Sequence, residues 1–303
     1  MSQTLHQPGG RTSLYEEITD KIVRQIEAGT LPWVQPWAGG PALSLPVNVR
    51  TDRTYSGINI LLLWDALFAQ GYAANRWLTF KQARELGGIV RKGEHGTTIV
   101  FADRFTPKAD DDTSADDPPR AIPFLRRYTV FNIAQCDGLP GELTLSIPPI
   151  SHREPVASAE ALIAASGASV RRGGAHAFYH ARDDYIAVPE QDQFFEPINF
   201  YRTVLHEMTH WSGAAHRLNR DFSGRFGSQS YAFEELVAEI GSAFLCAALG
   251  IVPTVRHADY IANWLAILKN DSRAVVSAAS HASKAADFIL ALQTRQSERE
   301  AEA

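Results

Sequence analysis

The segment His206-Glu207-Met208-Thr209-His210 places two imidazoles and a carboxylate at helical spacing. Residues four apart on a helix share a face, so both histidines can reach one metal ion while Glu207 projects beside them toward a water molecule. Phe200, Val204, Leu205 and Met208, within Ile198 to Trp211, give such a helix an apolar side to bury. The chemistry that fits is hydrolysis. A divalent ion acidifies a water and polarises a carbonyl, while Glu207 serves as general base and hands the proton to the leaving amine. Imidazole donors favour Zn2+, and another divalent metal also fits.

Two histidines are an incomplete set, because a catalytic zinc takes three protein ligands and keeps one position open. Two candidates compete for the third place. The run His206 to His216 matches H-E-x-x-H-x-x-G-x-x-H, the metzincin pattern, through Gly213 and His216. That pattern also calls for a downstream methionine turn, and the only methionines are Met1 and Met208. The other candidate lies in Glu234-Glu235-Leu236-Val237-Ala238-Glu239, at the start of a helix that can pack Leu236, Val237, Ile240 and Phe244 inward. This spacing resembles the gluzincin arrangement, which implies Glu235 on the metal and Glu239 behind His206 as its orienting partner. Acids lining the solvated start of a helix are the plainer alternative. Tyr179, His180, Tyr201 and Tyr231 are candidate oxyanion donors, and the strand Asp184 to Pro189 is a candidate edge for an extended peptide.

The elements that must carry this site read as α+β. In the first half, Leu14 to Ala28 is an amphipathic helix closed by Gly29, with a Trp- and Pro-rich loop from Leu31 to Pro41 after it. Helices follow at Ile58 to Gln70 and Thr79 to Leu86, the latter capped by Thr79 and stopped by Gly87-Gly88. Thr97 to Phe105 and Arg126 to Ile133 suit paired strands, with the acidic stretch Lys108 to Arg120 as their excursion. The Pro-containing stretch Leu139 to Pro155 marks the boundary between a domain over 1–145 and a second over 146–295. The second half predicts a helix around Ser158 to Ser166, strands at Ala175 to His180 and Tyr185 to Pro189, and the His-bearing helix. Helices near Phe233 to Leu249, Ala258 to Lys269 and Ala274 to Leu292 complete it, before a polar, disordered tail over 296–303.

A chain of 303 residues, 45% hydrophobic and 21% charged, is long enough for two soluble domains and predicts two cores. No apolar run is long enough to span a bilayer and no signal pattern opens the chain, so a cytoplasmic protein with no membrane partner is expected. Cys136 and Cys246 stand alone, which excludes a disulfide framework and a CxxC metal clip. The net charge of -5 excludes a uniformly basic coat. Its distribution is uneven: 11 Lys and Arg face 9 Asp and Glu in residues 1–105, against 18 and 25 in the remainder.

That basic first third also holds four of the six tryptophans. Trp33, Trp37, Tyr55, Trp64, Trp77 and Phe80 fall among Arg50, Arg53, Arg76, Lys81, Arg84, Arg91 and Lys92. Rings beside cations suit single-stranded DNA, whose bases stack on aromatic faces while phosphates follow positive charge. The candidate DNA contacts are Trp33, Trp37, Arg53, Tyr55, Asn59, Trp77, Lys81, Arg91 and Lys92. Trp64, on the apolar helix, reads as core.

These residues carry a family resemblance. Pro32-Trp33 to Trp37, Asn48 with Tyr55-Ser56-Gly57-Ile58-Asn59, Trp77-Leu78-Thr79-Phe80-Lys81-Gln82-Ala83, Val90 to Gly96 and Val130-Phe131-Asn132 to Gln135 resemble the N-terminal domain of ArdC-type antirestriction proteins. They are also similar to the matching part of TraC-type plasmid primases. His206 to Trp211 and Glu234 to Glu239 resemble the zincin-like metallopeptidase domain of the same family. The resemblance implies a plasmid or mobile-element protein that binds single-stranded DNA and protects incoming DNA from restriction. It also implies a metal set of His206, His210 and Glu235 with Glu207 as catalytic acid/base; a host protein is a candidate substrate for any hydrolysis.

Overall fold

The computed structural model describes residues 13–35, 43–105, 122–144, 154–222, 224, 227–252 and 260–302. Trp37 and the acidic stretch Lys108 to Arg120 lie outside them, as does the expected boundary at 145/146.

Helix α1 (Leu14–Glu27) opens on a capping box in which Ser13 and Glu16 satisfy each other's backbone N–H, and it buries Ile18, Ile22 and Ile26. Short strands β1 (Val47–Asn48) and β2 (Arg53–Thr54) form a hairpin before α2 (Ile58–Gln70). Gly57 starts α2 at φ +60, a conformation that a side chain would strain, and its N–H donates to Ser283 Oγ at 2.7 Å. Helix α2 is apolar on nearly every side and is accordingly buried on nearly every side. Then come β3 (Arg76–Leu78), α3 (Phe80–Glu85), β4 (Ile89–Val90), β5 (Thr97–Phe105), β6 (Ile122–Asn132), β7 (Cys136–Asp137) and the single turn α4 (Gly141–Thr144). The first sheet has the order β2-β1-β3-β6-β5, with β4 and β7 paired apart from it. Its long ribbon, β5 against β6, is antiparallel, with Thr97 opposite Val130 and Phe101 opposite Arg126.

The second half runs α5 (Glu154–Ser166), β8 (Ser169–Arg172), β9 (Phe178–His180), β10 (Tyr185–Val188), α6 (Ile198–Ser212), α7 (Gln229–Ala248), α8 (Ile261–Asn270) and α9 (Ala274–Glu302). The three strands order as β8-β10-β9, so β10 is central, parallel to β8 and antiparallel to β9. The segment expected to offer a free edge is therefore paired on both sides, and the edge beside it is β9. Helix α9 continues to Glu302 where a disordered tail was expected. Residues 293–302 contain neither Gly nor Pro, and their Gln, Glu, Arg and Ala propagate a helix already nucleated upstream.

The expectation of two cores also fails. Among the described residues one cluster joins Ile18, Ile22 and Trp64 of the first half to Leu236, Phe244 and Ile289 of the second, and only a satellite around Val49, Leu78, Ala83, Val90 and Ile133 is separate. Trp33 meets Trp264 edge to face at 5.8 Å, and Trp64 meets Phe244 at 5.6 Å. Thr19 Oγ1 donates to the Ser272 carbonyl at 2.6 Å across the same junction.

Candidate metal centre

Helices α6 and α7 cross where α7 carries Gly241. A Cβ at that position would lie 2.6 Å from Thr209 Cγ2, so a larger residue would force the helices apart. The close approach brings the start of α7 over the His pair. His206 Nε2 is 3.5 Å from Glu235 Oε2, and His210 Nε2 is 3.6 Å from Glu235 Oε1. Tetrahedral ligands at ordinary zinc bond lengths stand about 3.3–3.5 Å apart, which these separations fit. One ligand atom from each of the three residues lies within 4.8 Å of the others. This set fits a divalent cation.

The outer contacts are asymmetric. Glu239 Oε1 stands 4.0 Å from His206 Nδ1, on the side of the ring away from Glu235. His210 Nδ1 meets Glu234 Oε1 at 3.1 Å, and Arg220 holds that same carboxylate from Nη2 at 2.8 Å. Sequence reasoning missed Glu234 as the partner of His210. The signal was available: adjacent helical residues point about 100° apart, so of two neighbouring acids one can face the Nε2 atoms and the other the back of a ring. Both acids are buried, which sets aside a solvated helix start. Burial opposes charge on His210, but Glu234 and Glu235 outweigh it and push its pKa up to about 10. Burial likewise opposes ionisation of Glu235, yet the two imidazoles hold its pKa well below the carboxylate range.

Glu207 is 5% exposed and lines the same cavity as the three ligand candidates. That cavity has a volume of about 310 Å³, with walls that include Phe178, Tyr179, Phe222, Tyr231 and Tyr260. Of the four oxyanion candidates, Tyr179 and Tyr231 face it. Tyr201 instead donates to Glu160 at 2.9 Å, and His180 stacks on Tyr185 at 5.0 Å. Burial, then Tyr260 and Glu235, raise the Tyr231 pKa above its ordinary value, so the hydroxyl keeps its proton. His216 is 64% exposed, with Nε2 3.4 Å from Asp184 Oδ2 and 2.7 Å from Arg217 Nη1. It points into that ion pair and is not part of the three-residue cluster.

The candidate DNA contacts separate by burial. Trp33 and Trp77 are core residues at 1% and 0% exposure, so their rings are closed to stacking; for Trp33 the partner that closes it is Trp264. The Trp77 indole is instead capped by Asn75 Oδ1 at 2.7 Å. Asn59 is buried too, bonded to both backbone polar groups of Val100 at 2.8 Å. Tyr55 is half-buried and its hydroxyl accepts from Asn48 Nδ2 at 3.1 Å. Arg91 is committed to Glu94, the Ala134 carbonyl and Asp137. Arg53, Lys81 and Lys92 are exposed. Trp64 is core, as expected.

Comparisons with known proteins divide the chain in the same sense. Residues 12–131 match the family described as the N-terminal domain of anti-restriction factor ArdC, and residues 157–281 match a zincin-like metallopeptidase family. The uncharacterized protein y4eC of Sinorhizobium fredii is 43% identical over 295 residues, covering 95% of this chain and 94% of that protein. DNA primase TraC of Escherichia coli is 39% identical over 303 residues, and the match spans 93% of this chain but 27% of the primase. The metal-free crystal structure of antirestriction protein ArdC from plasmid R388 superposes with a TM-score of 0.78 at 39% identity, covering 94% of this chain and 99% of that one. Its Mn(II)-bound form gives 0.75, covering 93% and 98%. No helix among the described residues is long and apolar enough to cross a membrane. With that identity sustained over nearly the full length of both proteins and through both matched families, the chain belongs to the ArdC-type antirestriction family.

Proposed function

We propose that this chain is a mobile-element antirestriction protein that grips single-stranded DNA with its first half and hydrolyses peptide bonds at a Zn2+ site in its second. The observation that carries the enzymatic reading is the convergence of both Nε2 atoms on the Glu235 carboxylate, with Glu207 in the same cavity. His206, His210 and Glu235 would hold the ion, and the Mn(II)-bound relative favours a divalent metal. When bound, such an ion supplies Lewis acidity for carbonyl polarisation and water activation. Glu207 takes the proton of the attacking water and delivers it to the amine nitrogen as the C–N bond breaks. Tyr231, kept protonated, offers a hydroxyl to the developing oxyanion, whereas Tyr179 donates its own to Asp184 Oδ1 at 2.8 Å. The free edge of β9 runs along the cavity wall and suits an extended peptide, of which a host protein is the source.

Metal content, peptide hydrolysis and protection of incoming plasmid DNA from a restricting host, measured on wild type and Glu207→Ala, test this reading. The variant is expected to keep its metal and its single-strand affinity while losing hydrolysis and protection. A second reading, a DNA-binding shield whose metal site is structural or proteolytically silent, is favoured by the self-neutralised site, in which two carboxylates flank His210. Full protection by Glu207→Ala would select it.

A further inference from the structure

With Trp33, Trp64 and Trp77 in the core, base stacking in the first half falls to other rings. Four described aromatics there expose much of their surface: Phe80 at 49%, Phe101 at 51%, Phe124 at 36% and Tyr128 at 41%. They occupy two places. Phe101, Phe124 and Tyr128 stand on one face of the β5–β6 ribbon. Phe80 stands at the start of α3, edge to face with Phe131 at 6.4 Å.

Charge separates the two. Among the described residues, the aromatic face of the ribbon carries one cation, Arg126, opposite Phe101. Phe80, by contrast, is next to Lys81 and one turn from Arg84, and α3 is pinned to the β1–β2 hairpin. Asn48 Nδ2 donates to Gln82 Oε1 at 3.1 Å, and the Asn48 carboxamide oxygen accepts the N–H groups of Arg50 and Thr51. That pin places Arg50 and Lys81 close enough to share one carboxylate, Glu85, at 3.9 and 3.8 Å. Arg53 and Arg84 are exposed and have no acidic partner among the described residues. Arg50, Arg53, Lys81 and Arg84 therefore outnumber Glu85 and Asp52 on these two elements, and Phe80 exposes about half of its surface on one of them. The strand from Phe131 to Ile122 holds this face roughly 30 Å from the far end of the ribbon.

The geometry points to the α3 and β1–β2 face as the surface that binds single-stranded DNA, with an unpaired base stacked on Phe80 and neighbouring phosphates held by Arg50, Arg53, Lys81 and Arg84. A duplex offers its phosphates but no open base face, so the ring is what confers preference for a single strand. This inference rests on the DNA half of the proposed function and names the surface that performs it.

Titration of the full-length protein with a fluorescent oligo-dT and with a duplex of equal length, at several salt concentrations, tests it. Phe80→Ala is expected to weaken oligo-dT binding about tenfold and to leave duplex binding nearly unchanged. The double change Lys81→Ala with Arg84→Ala is expected to weaken both, and to flatten the dependence of log affinity on log salt by about 0.7 per lost phosphate contact. Phe80→Trp, which keeps a ring in place, is expected to retain affinity and to lose emission on binding as the new indole stacks. Wild type without oligo-dT affinity would remove the DNA reading itself. Wild-type affinity unchanged by Phe80→Ala but lowered by Phe101→Ala with Tyr128→Ala would overturn this inference alone, as would an unquenched Phe80→Trp that still binds.

Discussion

The two halves of this molecule place charge and aromatic surface in opposite ways. In the second half charge goes inside: His206, Glu207, Glu234 and Glu235 are buried around one cavity, with Arg220 and Glu239 buried behind them. In the first half the described cations stay largely on the surface, and the described tryptophans Trp33, Trp64 and Trp77 go inside. Burying an ion costs several kcal/mol unless partners compensate, so a dense buried charge network is informative wherever it occurs. Exposed cations cost almost nothing and carry meaning only in company, as around Phe80. One region can be read residue by residue, and the other only as a surface.

The sharpest way to break this contrast is at the ligands. Glu235→Ala is expected to lower metal affinity by more than the ~100-fold that loss of an outer contact reaches, and Glu234→Gln by about 10- to 100-fold, both measured by competition with a chromogenic chelator. Equal losses from the two variants would erase the distinction between ligand and orienting partner. Next in size are the core tryptophans. Trp77→Ala is expected to cost about 3–5 kcal/mol of stability in denaturant unfolding, whereas any folded fraction keeps its single-strand affinity. Loss of DNA binding from a folded Trp77 variant would return the indole to the DNA surface.

The smallest effect concerns Asp184, whose carboxyl is held down to about 2, chiefly by hydrogen bonds from Arg217. Its unfolded value is about 3.9, so its contribution is complete above about pH 4 and disappears as pH falls through 2. Because the side chain is 37% exposed, solvent screening keeps this contribution below about 1 kcal/mol. Asp184→Asn should therefore melt slightly earlier than wild type at pH 7 and together with it near pH 2. A constant difference across that range would assign the stability to packing.

How legible each region was follows from what sequence encodes locally. The His-bearing helix and the pairing of β5 with β6 were readable, because spacing and alternation are local properties. Glu235 was reachable from its distance to the His pair, but Glu234 was not separated from it, since their roles diverge only when α7 lies over α6. Trp33 and Trp77 were misjudged because burial depends on a distant partner: for Trp33 that partner is Trp264, more than two hundred residues away. The strands β1, β3 and β8 are two to four residues long, too short to show alternation. The order β8-β10-β9 depends on pairings that no single segment announces.

The shared core has a consequence for inheritance. Helices α1 and α2 lean on α7, α8 and α9 through Trp33, Trp64 and Thr19, so cutting the chain between its halves would strip apolar cover from both. Neither half is a cassette that recombination can move alone without exposing tryptophan to water. The TraC match reflects this: within that far longer primase the recurring segment corresponds to 93% of this chain, both lobes together. What recurs in that primase is the pair, joined in this chain along a tryptophan seam.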